Sequence, residues 1–125
     1  MAAVGFSLMT AACSTIQTYS GPARPDQDVS KVYFHSGTGV TLSAMTVDGH
    51  AKPNLANGFT ALPGSHTFSL RYDLERRVTA GTCQGNFESA AGKEYIIDVI
   101  GGGSSPDVTV YTDGRHTMVG TADCR

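Results

Sequence analysis

The chain has 125 residues, which suits one domain with one modest hydrophobic core. Only 16% of residues are charged, the net charge is −2, and no basic cluster exceeds Arg76-Arg77, so the footprint needed to bind nucleic acid is missing. The 15 glycines, with no long runs of Ala, Leu, Glu and Lys after the N-terminus, favour strands and turns over helices.

Met1–Met9, M-A-A-V-G-F-S-L-M, is apolar and uncharged and runs into T-A-A-C-S-T at Thr10–Thr15. Small residues of this kind are what an export peptidase requires before its cut. The segment Thr10-Ala11-Ala12-Cys13 resembles the bacterial lipobox. That resemblance implies that residues 1–12 are a lipoprotein signal peptide. It also implies that Cys13 becomes the first mature residue, thioether-linked to diacylglycerol and acylated on its new amine. Ser14 follows the cysteine where Asp would redirect sorting, which by the same resemblance implies the outer membrane, with the domain facing the periplasm. The apolar stretch falls short of the roughly 20 residues a transmembrane helix needs.

Ser14–Asp28 is polar, carries Pro22 and Pro25, and shows no periodicity. With Cys13 it reads as a semi-extended tether over residues 13–28, with Ile16 and Tyr19 its only large apolar groups. A β domain is expected over residues 29–125. Val29–His35 alternates and ends at Gly37-Thr38-Gly39. Val40–Val47 alternates too, with a slip of one near Met45 that signals a bulge or a bend. Asp48-Gly49 is a turn signal. His50–Thr60 reads as a loop whose Leu55 and Phe59 tuck under the sheet.

Ala61–Asp73, A-L-P-G-S-H-T-F-S-L-R-Y-D, is the organising stretch. Pro63-Gly64 suits a type II turn. After it Phe68, Leu70 and Tyr72 point one way and Thr67, Ser69 and Arg71 the other, the period of a half-buried strand. Leu74–Arg77 reads as a polar turn. Val78–Ser89 is a strand that Gly81 and Gly85 weaken. Ala90–Lys93 is a connection. Tyr95, Ile97 and Val99 alternate with Glu94, Ile96 and Asp98, and Gly101–Pro106 is a flexible loop. Asp113-Gly114 predicts a two-residue type I′ hairpin in which Thr112 faces Arg115, Val110 faces Thr117 and Val108 faces Val119. About seven strands with short turns predict an all-β fold, a small antiparallel β-sandwich.

Of the three cysteines, Cys83 and Cys124 read as a disulfide, which places the domain in an oxidising compartment. No His, Asp or Lys stands beside either one to lower a thiol pKa, apart from Asp123, which would raise it. The histidines, His35, His50, His66 and His116, occur singly, without metal-ligand spacing. Gly64-Ser65-His66 and Gly103-Ser104-Ser105 do not satisfy G-x-S-x-G, and the glycine pairs lack a nucleotide-binding setting. The residues point to no catalytic, cofactor or metal constellation.

T-A-A-C-S-T, Y-S-G-P-A-R-P at Tyr19–Pro25, V-D-G at Val47–Gly49, L-P-G-S-H-T-F-S-L-R-Y at Leu62–Tyr72 and A-G-K-E-Y-I-I-D-V at Ala91–Val99 resemble small proteobacterial lipoproteins. The V-D-G…L-P-G-x-H segment is similar to PEGA-type surface β domains. The resemblance implies a lipid-anchored cell-envelope domain, a non-catalytic accessory or protein-interaction module with an envelope protein as partner. An alternative is a periplasmic small-ligand-binding module with a pocket near Tyr72, Tyr95 and Tyr111.

Overall fold

The computed structural model describes residues 15–53, 56–75, 79–101 and 104–125. The expected signal peptide over residues 1–12, the anchor at Cys13, Leu55 and the Arg76-Arg77 pair lie outside the described residues. The strands are β1 (Ile16–Gln17), β2 (Ser30–Ser36), β3 (Val40–Val47), β4 (His50–Ala51) and β5 (Phe59–Ala61). They continue with β6 (Gly64–Leu74), β7 (Thr79–Ser89), β8 (Glu94–Ile100), β9 (Asp107–Thr112) and β10 (Thr117–Cys124). A 3-10 turn at Asp26–Asp28 precedes β2.

The all-β class is observed, but the seven-strand sandwich is not. The strands form one sheet of ten, in the order β1-β5-β2-β8-β9-β10-β7-β6-β3-β4, curled as a half-barrel. The difference lies in β10. Its residues Thr117–Thr121 pair with β9, whereas Ala122–Cys124 pair with β7, and a register shift falls between Met118 and Gly120. Such a shift bends a strand and sharpens its twist. The hydrogen-bonded ladder therefore turns the corner that separates two independent sheets in a sandwich. Gly120 sits at that corner, where a Cβ would stand 2.8 Å from the Asn86 carbonyl oxygen.

Nor is the sheet wholly antiparallel. β2 runs parallel to β8 and β1 runs parallel to β5. Parallel neighbours need a long crossover, and the chain from β2 to β8 supplies one by building β3, β4, β6 and β7 in the other half of the sheet, with β5 returning to pair beside β2. The expected tether contributes to the fold as well. Ile16 and Gln17 pair with Phe59 and Thr60, and the Thr18 amide donates to the Thr60 carbonyl.

The concave face holds the core. On β6, His66, Phe68, Leu70, Tyr72 and Leu74 are buried and the residues between them are not. Leu74, expected in a turn, is the last core residue of that strand. Phe34 on β2 meets Phe59 and Phe68 edge to face, with centroids 5.9 and 6.2 Å apart, so the two limbs of the curl close on each other. On β3, Ala44 and Met45 oppose the single Leu70 between the pairs Ser43–Arg71 and Thr46–Ser69, and Ala44 takes a positive φ of 50°. That is the bulge read from the slip at Met45. Asp48 and Gly49, with φ of 51° and 82°, close the Val47–His50 pair as a two-residue turn. Phe59 is fully buried, as part of β5.

The last hairpin closes differently from its expected register. Thr112 pairs with Thr117 across a four-residue loop, Asp113–His116, and Val110 faces Gly120. Asp113, Gly114 and Arg115 all have positive φ, and the His116 amide donates to the Asp113 carbonyl at 3.2 Å. The wider loop and the shift at Val119 bring Gly120, the residue without a side chain, to the tight corner.

Candidate functional site

Cys83 and Cys124 are register partners on β7 and β10, with sulfurs 2.02 Å apart and Cα atoms 4.0 Å apart. The flanking Thr82 and Arg125 exchange backbone hydrogen bonds of 3.0 and 2.8 Å, so the cysteines occupy the adjacent, closer kind of cross-strand pair. Both lie in the core region, and Cys83 is fully buried.

The three tyrosines of the alternative reading do not converge. Tyr72 and Tyr95 are core residues. The Tyr72 hydroxyl donates to the Arg125 carbonyl at 3.3 Å, and the Tyr95 hydroxyl accepts from the Ala90 amide at 2.8 Å. Tyr111 has the opposite parity to buried Val108 and Val110 on β9 and lies on the outer face. A pocket between sheets at these residues is not formed.

The histidines stay apart, but two of them join acidic partners. Among the described residues, no group of three or more His, Cys, Asp and Glu could hold a metal ion. His66 is buried on β6, with Nδ1 2.6 Å from Asp48 Oδ2 and Nε2 2.6 Å from the Leu62 carbonyl. Each ring nitrogen thus sits at hydrogen-bond distance from an oxygen. Asp48 Oδ1 also accepts from the Thr67 amide at 2.9 Å. The V-D-G and L-P-G-S-H segments are thus one unit, an acidic turn fastened to the strand beside it. His66→Phe keeps the ring packed near Phe87 but leaves the Leu62 carbonyl with only the long 3.5 Å bond from the Ser89 hydroxyl and Asp48 with only the Thr67 amide. We expect a loss of about 2 kcal/mol in urea unfolding.

On the outer face of the other limb, Asp98 is buried although it points away from the core. His35 Nδ1 meets its Oδ1 at 2.9 Å and Arg115 Nε its Oδ2 at 3.5 Å. These two partners offset the cost of removing a carboxylate from water. The Tyr33 phenol on the same limb is pushed above its ordinary value, first by burial and then by the negative charges of Glu94 and Asp26, with Lys31 opposing.

A concavity lies on the outer face of β10, β7, β6 and β3, a groove of about 830 Å³ walled on one side by Gly49 of the β3–β4 turn. Its floor is the polar side of β7, with Thr82, Gln84 and Asn86 alternating with core residues. Thr67 and Ser69 of β6 flank the floor on one side, Asp123 and Arg125 on the other. A second hollow of about 610 Å³ shares Thr67 and Asn86 and extends past Glu88, where β10 leaves β7 for β9. Sequence reasoning missed this trough. Its signal is the parity opposite to Cys83 and Phe87, but that parity does not say which strands lie alongside.

Fold and site together define a disulfide-linked, single-sheet β domain with a polar trough. Comparison with protein-family models, curated proteins and solved structures finds no match. No helix among the described residues is long and apolar enough to cross a membrane.

Proposed function

We propose that the chain is a lipid-anchored module of the cell envelope, held at the outer membrane by acyl groups on Cys13, facing the periplasm and working by binding, not catalysis. The observation that carries this reading is the Cys83–Cys124 bond. A bonded pair belongs to an oxidising compartment. It also uses two of the chain's three cysteines, leaving Cys13, with its lipobox-like surroundings, no partner in its own chain. Two or more acyl chains give durable attachment, at about 0.8 kcal/mol per buried CH₂.

The anchor residue stands three positions before Ile16, which already pairs with β5. At most about 3.6 Å per residue, roughly 11 Å of chain separates the two. The domain therefore rides close to the bilayer. Cys13→Ala, or globomycin treatment, is expected to move the protein from the membrane to the soluble fraction. Unchanged fractionation would remove the anchor from this account.

A further inference from the structure

We propose that the polar trough along β7 is a binding site for an extended, N-acetylated glycan strand. This goes beyond the anchoring reading and does not depend on it. The floor runs from Thr82 to Glu88, about 20 Å at some 3.4 Å per residue, so it suits a polymer better than a single small molecule.

Two features of the lining, its unpartnered side chains and their mix of donors and acceptors, select the ligand class. Gln84, Asn86 and Asp123 make no side-chain hydrogen bond or ion pair with any described residue, although they stand side by side on adjacent strands. The two amides each offer a donor and an acceptor, the Asp123 carboxylate accepts, and the Arg125 guanidinium donates. A ligand that serves them all must present donors and acceptors densely along its length. Ring hydroxyls do so, and an acetamido group can pair reciprocally with a Gln or Asn amide, N–H to C=O in both directions.

The other extended polymers fit worse. A peptide that adds as a strand needs a free edge, but Gln84 is already paired with Ser69 on one side and Asp123 on the other. A nucleic acid needs a run of cations, and the lining holds one, Arg125, beside the opposite charge of Asp123. An acyl chain needs apolar walls along its whole length, and from Thr82 to Asn86 the exposed side chains are hydroxyls, amides and charges, with Val119 and Phe87 lining only the end near Glu88.

The test uses the full chain with its disulfide intact, titrated with chitotetraose and followed by amide nitrogen–proton NMR. The expected result is saturable shifts at trough residues of β6, β7 and β10. Gln84→Ala and Asn86→Ala should each weaken binding about 10-fold, near 1.4 kcal/mol. Both side chains point into solvent, so an unchanged Tm will separate lost contacts from lost folding. Cellotetraose, which has the same linkage but no acetamido groups, should bind at least about 10-fold more weakly. The proposal is overturned by no saturable shift up to about 10 mM chitotetraose, by shifts that map to the Tyr33–Tyr111 face, or by equal binding of the two sugars.

Discussion

Reducing the Cys83–Cys124 bond will lower the stability of the domain by about 4 kcal/mol and its Tm by on the order of 15 °C. The cysteines are 41 residues apart in sequence, and closing a loop of that length removes entropy from the unfolded chain in proportion to the logarithm of its size. Native domains are stable by only about 5–15 kcal/mol in total, so this one bond is a large share. Its position adds a local effect. The Ala122–Cys124 segment is where β10 joins β7, and so where the two limbs of the curled sheet are stitched together. Hydrogen exchange should therefore rise first at Thr82 and Arg125, whose amides bond β7 to the end of β10, in the reduced protein, before β6 or β8 opens. The measurement is urea unfolding with and without reductant, thiol content being checked in each sample. An unchanged midpoint with both thiols free would show that the bond constrains nothing.

How much of this was legible in the sequence depends on what each signal measures. Alternation reports which side of a strand is buried, and on β6 it did so for Phe68, Leu70 and Tyr72. The same parity includes His66, whose burial was readable from its step with those residues, although a lone histidine reads first as a surface group. The Met45 slip and the Asp48-Gly49 turn were legible because a bulge and a tight turn are local. Pairing is not local. Nothing in the alternation of β2 says that its neighbour is β8, with five strands built in between, or that the two run parallel. Strands of two residues, β1 and β4, are too short to alternate at all. Asp113-Gly114 met the demand for positive φ but could not fix the loop length, because Arg115 adopts positive φ too and the placement of Gly120 against β7 sets the register. The trough depends on pairing in the same way. Gln84 and Asp123 are polar in the sequence, but only the register of β10 on β7 sets them side by side on the outer face.

The glycines of β7 give the clearest case in which sequence and structure predict opposite signs. Read alone, a glycine inside a strand is a weakness, and alanine should stabilise by about 0.5–1 kcal/mol. The structure reverses this. A Cβ on Gly81 would lie 1.8 Å from the Arg125 carbonyl oxygen and 2.7 Å from the Tyr72 hydroxyl. On Gly85 it would lie 2.6 Å from the Thr121 carbonyl oxygen and 2.7 Å from the Phe68 ring. In each case the nearest atom is backbone, which cannot swing aside as a flexible side chain does. Gly81→Ala and Gly85→Ala are each expected to destabilise by about 3 kcal/mol, at the upper end of overpacking. Gly37→Ala, where the nearest atom is an ordinary 3.5 Å away, should change little. The two effects at the β7–β10 seam are also coupled. Gly81 lies two residues from Cys83, and the atom it would strike belongs to Arg125, the neighbour of Cys124. In the reduced protein the end of β10 is free to draw back, so Gly81→Ala should cost less there than in the oxidised protein, by about 1 kcal/mol or more in a double-mutant cycle. Equal costs in both states would mean that β10 is pinned to β7 by its backbone pairs alone, with the disulfide only shortening the unfolded chain.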